Sequence, residues 1–85
     1  MMPSLFVLDV PEFAPLIAGA AGGHTVKRRG GYALIEASEK VVVERAKSRH
    51  GGAAIGDAVW FGALTGGYEG RVVEFSADRL VIGKP

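Results

Sequence analysis

The chain has 85 residues, of which 48% are hydrophobic and 22% charged, and its formal net charge is +1. This composition is typical of one small globular domain over residues 1–85 and excludes a disordered chain. It also argues against a strongly basic nucleic-acid-binding module. Since the chain has no cysteine, we expect neither disulfides nor a thiolate metal site, and a cytoplasmic location. No apolar run is long enough to span a bilayer.

A strand followed by a helix is predicted at the start of the chain. Residues 4–8 form a nearly continuous apolar run, which favours a short buried strand. Asp9 is the predicted helix N-cap, with Glu12 at capping-box spacing, and Gly22-Gly23 is the predicted C-cap pair. One apolar helical face is predicted from Phe13, Leu16, Ile17 and Ala20.

The middle of the chain predicts three strands. Residues 24–29 and 32–37 are separated by Gly30-Gly31, a spacing that suits a two-residue hairpin turn. Residues 41–45 begin with three valines, and this β-branched run favours a strand over the alternative of a helix across residues 38–47.

The last third predicts a helix and a hairpin. Residues 55–64 fit a short helix with Asp57 as its N-cap and Gly66-Gly67 as its C-cap pair. The rival interpretation is a strand over residues 58–64 with Trp60 facing outwards. The final hairpin is predicted from residues 70–75 and 79–82. One face of this hairpin is predicted to carry Val73, Phe75, Leu80 and Ile82.

The predicted order is β-α-β-β-β-α-β-β. This order indicates a single α+β domain with an antiparallel-rich sheet and two helices on one face of the sheet. Apart from Lys27 and Arg29, little protects the edge strands from pairing with another chain. We therefore expect a homodimer.

The densest cluster of charge is the tip of the first hairpin. Lys27, Arg28 and Arg29 precede Gly30-Gly31, and Tyr32 follows. Three cations beside an aromatic ring could bind a polyanion, which would make residues 24–50 a nucleic-acid-binding surface. Alternation along a strand would send Arg28 to the opposite face from the other two cations, so a simply solvated hairpin tip is the preferred interpretation.

No pattern predicts catalysis, a cofactor or a metal. His24 and His50 lie 26 residues apart, and neither has a second ligand at a recognised metal-binding spacing. The glycine-rich residues 51–57 precede a predicted helix, but no phosphate-binding lysine follows them. The sequence therefore favours a protein that is not an enzyme and needs no cofactor.

The aromatic residues of the last third have two interpretations. In so small a domain Trp60 is expected in the core, but Trp60, Tyr68 and Arg71 could also line an interface or a pocket. We predict a domain that acts by self-association or as an accessory subunit of a larger protein partner. The alternatives are a small-molecule-binding protein or small enzyme with its pocket between the sheet and the second helix, and a nucleic-acid-binding protein.

Overall fold

The computed structural model describes residues 2–20, 23–50 and 53–85. Within them the strands form a four-stranded sheet, a three-stranded sheet and a two-stranded ribbon. The strands are β1 (Ser4–Leu8), β2 (Thr25–Arg29), β3 (Tyr32–Glu36), β4 (Lys40–Glu44), β5 (Arg49–His50), β6 (Ala53–Ala54), β7 (Tyr68–Glu69), β8 (Arg71–Phe75) and β9 (Arg79–Gly83). The helices are α1 (Ala14–Gly19) and α2 (Asp57–Phe61), and 3-10 turns span Pro11–Phe13 and Arg45–Lys47.

The α+β class is confirmed, but the predicted single sheet is wrong. The predicted order of elements is present, with the additional two-residue strands β5, β6 and β7. The strands divide between two main antiparallel sheets, with strand orders β2-β3-β1-β7 and β4-β9-β8. Helix α1 packs against β5, the Arg45–Lys47 turn and β4. Trp60 of α2 contacts Phe75 of β8, so both helices lie against the three-stranded sheet.

The predicted first hairpin is confirmed. Strands β2 and β3 pair residue for residue from Thr25 opposite Glu36 to Arg29 opposite Tyr32. The turn residues Gly30 and Gly31 both have positive φ, at 55° and 82°. Such angles are the reason for glycine at both positions, because a side chain there is strained.

The final hairpin also forms, but one predicted side-chain position in it is wrong. Val72 lies opposite Ile82 and Phe75 lies opposite Leu80, and the register shifts between Val72 and Glu74. This bulge adds one residue to β8 and reverses the alternation of its side chains. Val73 consequently points away from the core and is 59% exposed.

The two sheets and both helices share one hydrophobic core. Leu5 and Ile35 of the four-stranded sheet and Leu80 and Ile82 of the three-stranded sheet are fully buried, as is Trp60 of α2. Other buried members are Val7, Leu16, Ile17, Ala20, Ala33, Val41, Val43, Ile55 and Ala63. The helical face predicted for α1 is therefore buried, except that Phe13 is only partly buried.

Both predicted N-caps are wrong. Val10 and Phe13 occupy the cap positions before the 3-10 turn and α1, while Gly56 caps α2, and none of them makes a side-chain cap hydrogen bond. The Asp9 and Asp57 carboxylates instead bind arginines of other elements, Arg28 and Arg45. An ion pair with a distant arginine has replaced the local N–H contact that a capping aspartate would make.

The second helix is confirmed, although it is shorter than predicted. It ends at Phe61 with Gly62 as its C-cap, whereas Gly66-Gly67 lies farther along the chain and packs beside β1. A Cβ on Gly66 would lie 2.2 Å from the carbonyl oxygen of Phe6, so only glycine fits this backbone contact. The predicted C-cap pair of α1 includes Gly22, which lies outside the described residues; the structure assigns the C-cap to Ala20.

Candidate functional site

The outer face of the four-stranded sheet carries an apolar surface that is the candidate site. Residues directly opposite each other in an antiparallel pair project on the same side of the sheet. Phe6 lies opposite Leu34, and Leu8 lies opposite Tyr32. We call these four residues the outer patch. Leu8 is 40% exposed and Tyr32 is 41% exposed, while Phe6 and Leu34 are half-buried.

Strand β2 adds two cations along one border of the outer patch. Lys27 lies opposite Leu34 and Arg29 lies opposite Tyr32. These two cations, Phe6, Tyr32 and Leu34 line a groove of about 380 Å³. On the other side of Phe6 lies the segment Gly66-Gly67 of the same chain, which has no side chains. The apolar surface around Phe6 and Tyr32 therefore extends as far as Gly66.

The structure separates the three cations of the predicted polyanion site. Lys27 and Arg29 share the outer face with Tyr32, whereas Arg28 projects on the other side and its Nε donates to Asp9 Oδ2 at 3.1 Å. Lys27 Nζ lies 3.2 Å from Glu36 Oε1; this buried oxygen accepts no well-aligned hydrogen bond, so the contact is an ion pair. Arg29 has no carboxylate partner among the described residues. Two of the three charges are thus already neutralised within the chain.

Replacing Lys27, Arg28 and Arg29 together by serine should change stability little. Exposed ion pairs contribute less than about 1 kcal/mol, so we expect the free energy of unfolding to stay within about 0.5 kcal/mol per residue in urea unfolding. The parent protein should not bind heparin or single-stranded nucleic acid at physiological salt, because one unpaired cation releases few counterions. A submicromolar affinity under those conditions would contradict this prediction.

The second predicted site, at Trp60, Tyr68 and Arg71, is not brought together as a surface. Trp60 is fully buried, and its Nε1 donates to the Ser76 carbonyl at 2.8 Å. Tyr68 is 43% exposed in β7, and Arg71 is exposed in β8, which belongs to the other sheet. The 380 Å³ groove is lined by none of these three residues. Whether Tyr68 or Arg71 contacts a partner stays a prediction.

Arg45 is a structural residue that sequence reasoning missed. Its guanidinium lies 5.9 Å from the ring centres of both Trp60 and Phe61, which permits cation–π contacts with both rings. It also donates to Asp57 Oδ1 at 2.5 Å and to the carbonyls of Ile55 and Ala77 at 3.3 and 3.4 Å. These three hydrogen-bond partners lie 12, 10 and 32 residues away in sequence, so no local spacing could have indicated them.

We expect Arg45→Lys to lower the free energy of unfolding by about 1–2 kcal/mol. The arginine guanidinium is a planar fork of donors that binds α2 and the β8–β9 turn at once. Lysine keeps the charge, but its single ammonium cannot bind both. Urea unfolding followed by circular dichroism measures the loss. Lys47→Ala is the control, because the Lys47–Glu44 ion pair is exposed and should contribute little. Equal losses of unfolding free energy in both variants would show that the several contacts of Arg45 add no stability beyond that of an exposed ion pair.

The titratable groups do not converge on a reactive centre in the described parts of the chain. There, no group of three or more histidine, aspartate or glutamate side chains is placed to hold a metal ion. His24 Nε2 accepts a hydrogen bond from the Val42 amide at 3.1 Å and so links the two sheets, while the side chain of His50 lies outside what the structure describes. Hydrogen bonds from Arg79 lower the pKa of the Glu74 carboxyl and join β8 to β9.

Comparison with known proteins gives one structural likeness. No protein-family model matches the sequence, and no curated protein sequence matches it either. Within the described residues, no helix is both long and apolar enough to cross a membrane. The fold is similar to that of a chain in the solved structure of a phenol hydroxylase–regulatory protein complex, with a TM-score of 0.76 over 100% of both chains. Since the sequence identity is 12%, this likeness establishes a shared fold.

Proposed function

We propose that this protein is an accessory subunit that binds a larger enzyme and acts on it by association. The observation that carries the proposal is the full-length structural likeness to a chain of a hydroxylase–regulatory protein complex. Because the likeness covers 100% of both chains, the matched chain is itself a domain of this small size. A domain of that size corresponds to the regulatory component of such a complex better than to a catalytic subunit, which must enclose a substrate and its cofactors.

The surface chemistry supports the same role. The largest side chain, Trp60, lies in the core, while Leu8 and Tyr32 remain exposed together on one face. Apolar residues at a surface with a charged border are typical of protein interfaces. Ion pairs among the described residues, such as Lys27–Glu36, Arg45–Asp57 and Arg79–Glu74, join strands and turns and have a structural use without any substrate.

The test is to co-express the protein with the products of the genes that neighbour its own. Size-exclusion chromatography with light scattering should show the 8.9 kDa chain eluting with a larger protein at a fixed ratio. The turnover of that larger protein should change when the subunit is added back in increasing amounts. The control is the larger protein without the subunit. The proposal would be contradicted if the chain eluted alone after co-expression with each neighbouring gene product and had no effect on turnover.

The predicted homodimer can be measured separately. Strand β2 is an edge of the four-stranded sheet, and its unpaired backbone groups could pair with a second copy. Light scattering at micromolar concentrations should then give about twice 8.9 kDa. A clean monomer across a wide concentration range would contradict this prediction. The cytoplasmic location likewise stays a prediction.

A further inference from the structure

Strand β1 has the composition of a strand that is covered on both faces. Its residues 5–8 are all apolar, whereas a strand with one wet face alternates apolar and polar residues. In the structure only one of its faces is covered. Leu5 and Val7 are 0% and 2% exposed in the core, while Phe6 and Leu8 lie on the outer face in the outer patch. The apolar composition of the outer face is therefore unexplained by the folding of the described chain.

The positive charge beside the outer patch lies along one border, while Glu36 and Glu69 lie on the same side of the sheet, opposite Ser4. Lys27 and Arg29 stand on β2, on the same side of the sheet as Phe6 and Tyr32. Arg29 lacks a carboxylate partner among the described residues, whereas Arg28, on the other side of the strand, is paired with Asp9. An unpaired arginine next to an exposed aromatic ring is suited to bind a carboxylate of another molecule.

We propose that the outer patch binds an amphipathic helix of the larger enzyme, with its apolar stripe on Phe6, Leu8, Tyr32 and Leu34 and its carboxylates against Lys27 and Arg29. This inference rests on the proposed function and names the surface and the partner chemistry that the function would use. A sheet face that is apolar in its centre is covered by a helix or by another sheet. The unpaired cation selects an acidic partner segment.

The spacing of the two cations suits a helix. Lys27 and Arg29 are two residues apart on one strand, which separates their Cα atoms by about 6.8 Å. Carboxylates four residues apart on a helix stand about 6 Å apart along its axis. Lys27 is paired with Glu36, but its side chain is 56% exposed and an ammonium has three donors, so it can bind a second carboxylate. A helix lying along β2 and β3 could therefore present one carboxylate to each cation while its neighbouring face packs on the outer patch.

The first experiment uses the full 85-residue chain and a synthetic helical peptide. The peptide, of roughly 18 residues so that it can hold a helix, carries a leucine stripe bordered on one side by two glutamates one turn apart. Its control has lysines in place of those glutamates. In an NMR titration the glutamate peptide should shift the amides of β1, β2 and β3, and the lysine peptide should bind at least tenfold more weakly. Equal binding of both peptides, or shifts centred on β8 and β9, would overturn the proposal.

Matched variants then test the surface within the complex. Arg29→Glu and Tyr32→Ser should each weaken binding to the larger enzyme at least tenfold, since a buried ion pair and a central aromatic contact are lost. Lys40→Glu is the control, because Lys40 is exposed on β4 of the other sheet and the change in charge is the same. Loss of binding with Lys40→Glu alone would overturn the surface assignment and leave the accessory function standing.

Two further outcomes separate this inference from the proposed function. If no larger protein is bound, the proposed function fails, while the peptide titration still shows whether the outer patch selects an acidic helix. If the parent protein is a dimer in sedimentation and Tyr32→Ser makes it a monomer, a second copy of this chain covers the patch. That result would overturn the enzyme helix as the occupant.

Discussion

Replacing Trp60 by alanine is expected to remove a large part of the protein's stability. The indole is fully buried, its ring contacts Phe75 edge-on at 6.1 Å between ring centres, and its Nε1 donates to the Ser76 carbonyl. Truncating a buried tryptophan costs about 3–5 kcal/mol. A domain of this size has a total stability of about 4–10 kcal/mol. Far-UV circular dichroism and urea unfolding measure the loss.

Two matched variants identify which part of the indole matters. Trp60→Phe keeps an aromatic ring but leaves the Ser76 carbonyl without its donor, so it should stay folded and lose about 1–2 kcal/mol. Phe61→Ala removes a ring that is 52% exposed and also contacts Phe75, at 5.9 Å, and should cost about 1 kcal/mol.

Fluorescence of the parent protein checks the same burial. Emission from Trp60 should be blue-shifted and poorly quenched by iodide, because no part of the residue is exposed. A Trp60→Ala protein with undiminished stability, together with quenchable parent fluorescence, would place Trp60 at the surface and contradict this packing.

Replacing Gly70 by alanine should cause the second large loss, about 3 kcal/mol or more. Gly70 has a φ of 117°, which is strained for any residue with a side chain. A Cβ at this position would also lie 2.3 Å from the carbonyl oxygen of Gly83. The alanine variant must therefore bear backbone strain and also force β9 away from the start of β8. Urea unfolding measures the combined loss.

Gly31→Ala separates the two contributions. Gly31 also has a positive φ, 82°, but a Cβ there would meet no atom within 4 Å. This variant should show only the conformational cost of about 1–2 kcal/mol. If the two variants lose equal stability, the close approach of Gly70 to Gly83 has no energetic consequence.

Several features of the fold follow from the sequence because they depend on local chemistry. The Gly30-Gly31 turn sets the first hairpin, since glycine adopts positive φ without strain. The valine run of β4 favours a strand, and the apolar run of β1 does the same. The burial of Trp60 follows from its size, since a small domain needs its largest apolar side chain in the core.

Three residues of the candidate site were noted in the sequence, but as a possible polyanion contact, which stays a prediction. Lys27, Arg29 and Tyr32 were identified from their clustering at the hairpin tip, and the structure places them on one face. Phe6 and Leu34 were not identified, because an apolar residue in a strand gives no sign of which face will be covered. That choice is made by whatever packs on the sheet, and the core packs on the opposite face.

The features that only the tertiary structure decided are contacts between residues that are distant in sequence. Asp9 and Asp57 have the residue type of helix caps, yet Arg28 and Arg45 bind them across 19 and 12 residues. The bulge at Val73 depends on how β8 meets β9, and the division into two sheets depends on which strand edges find each other. Local propensity specifies each element, but the free energies of these long-range contacts exceed the small preferences that local patterns record.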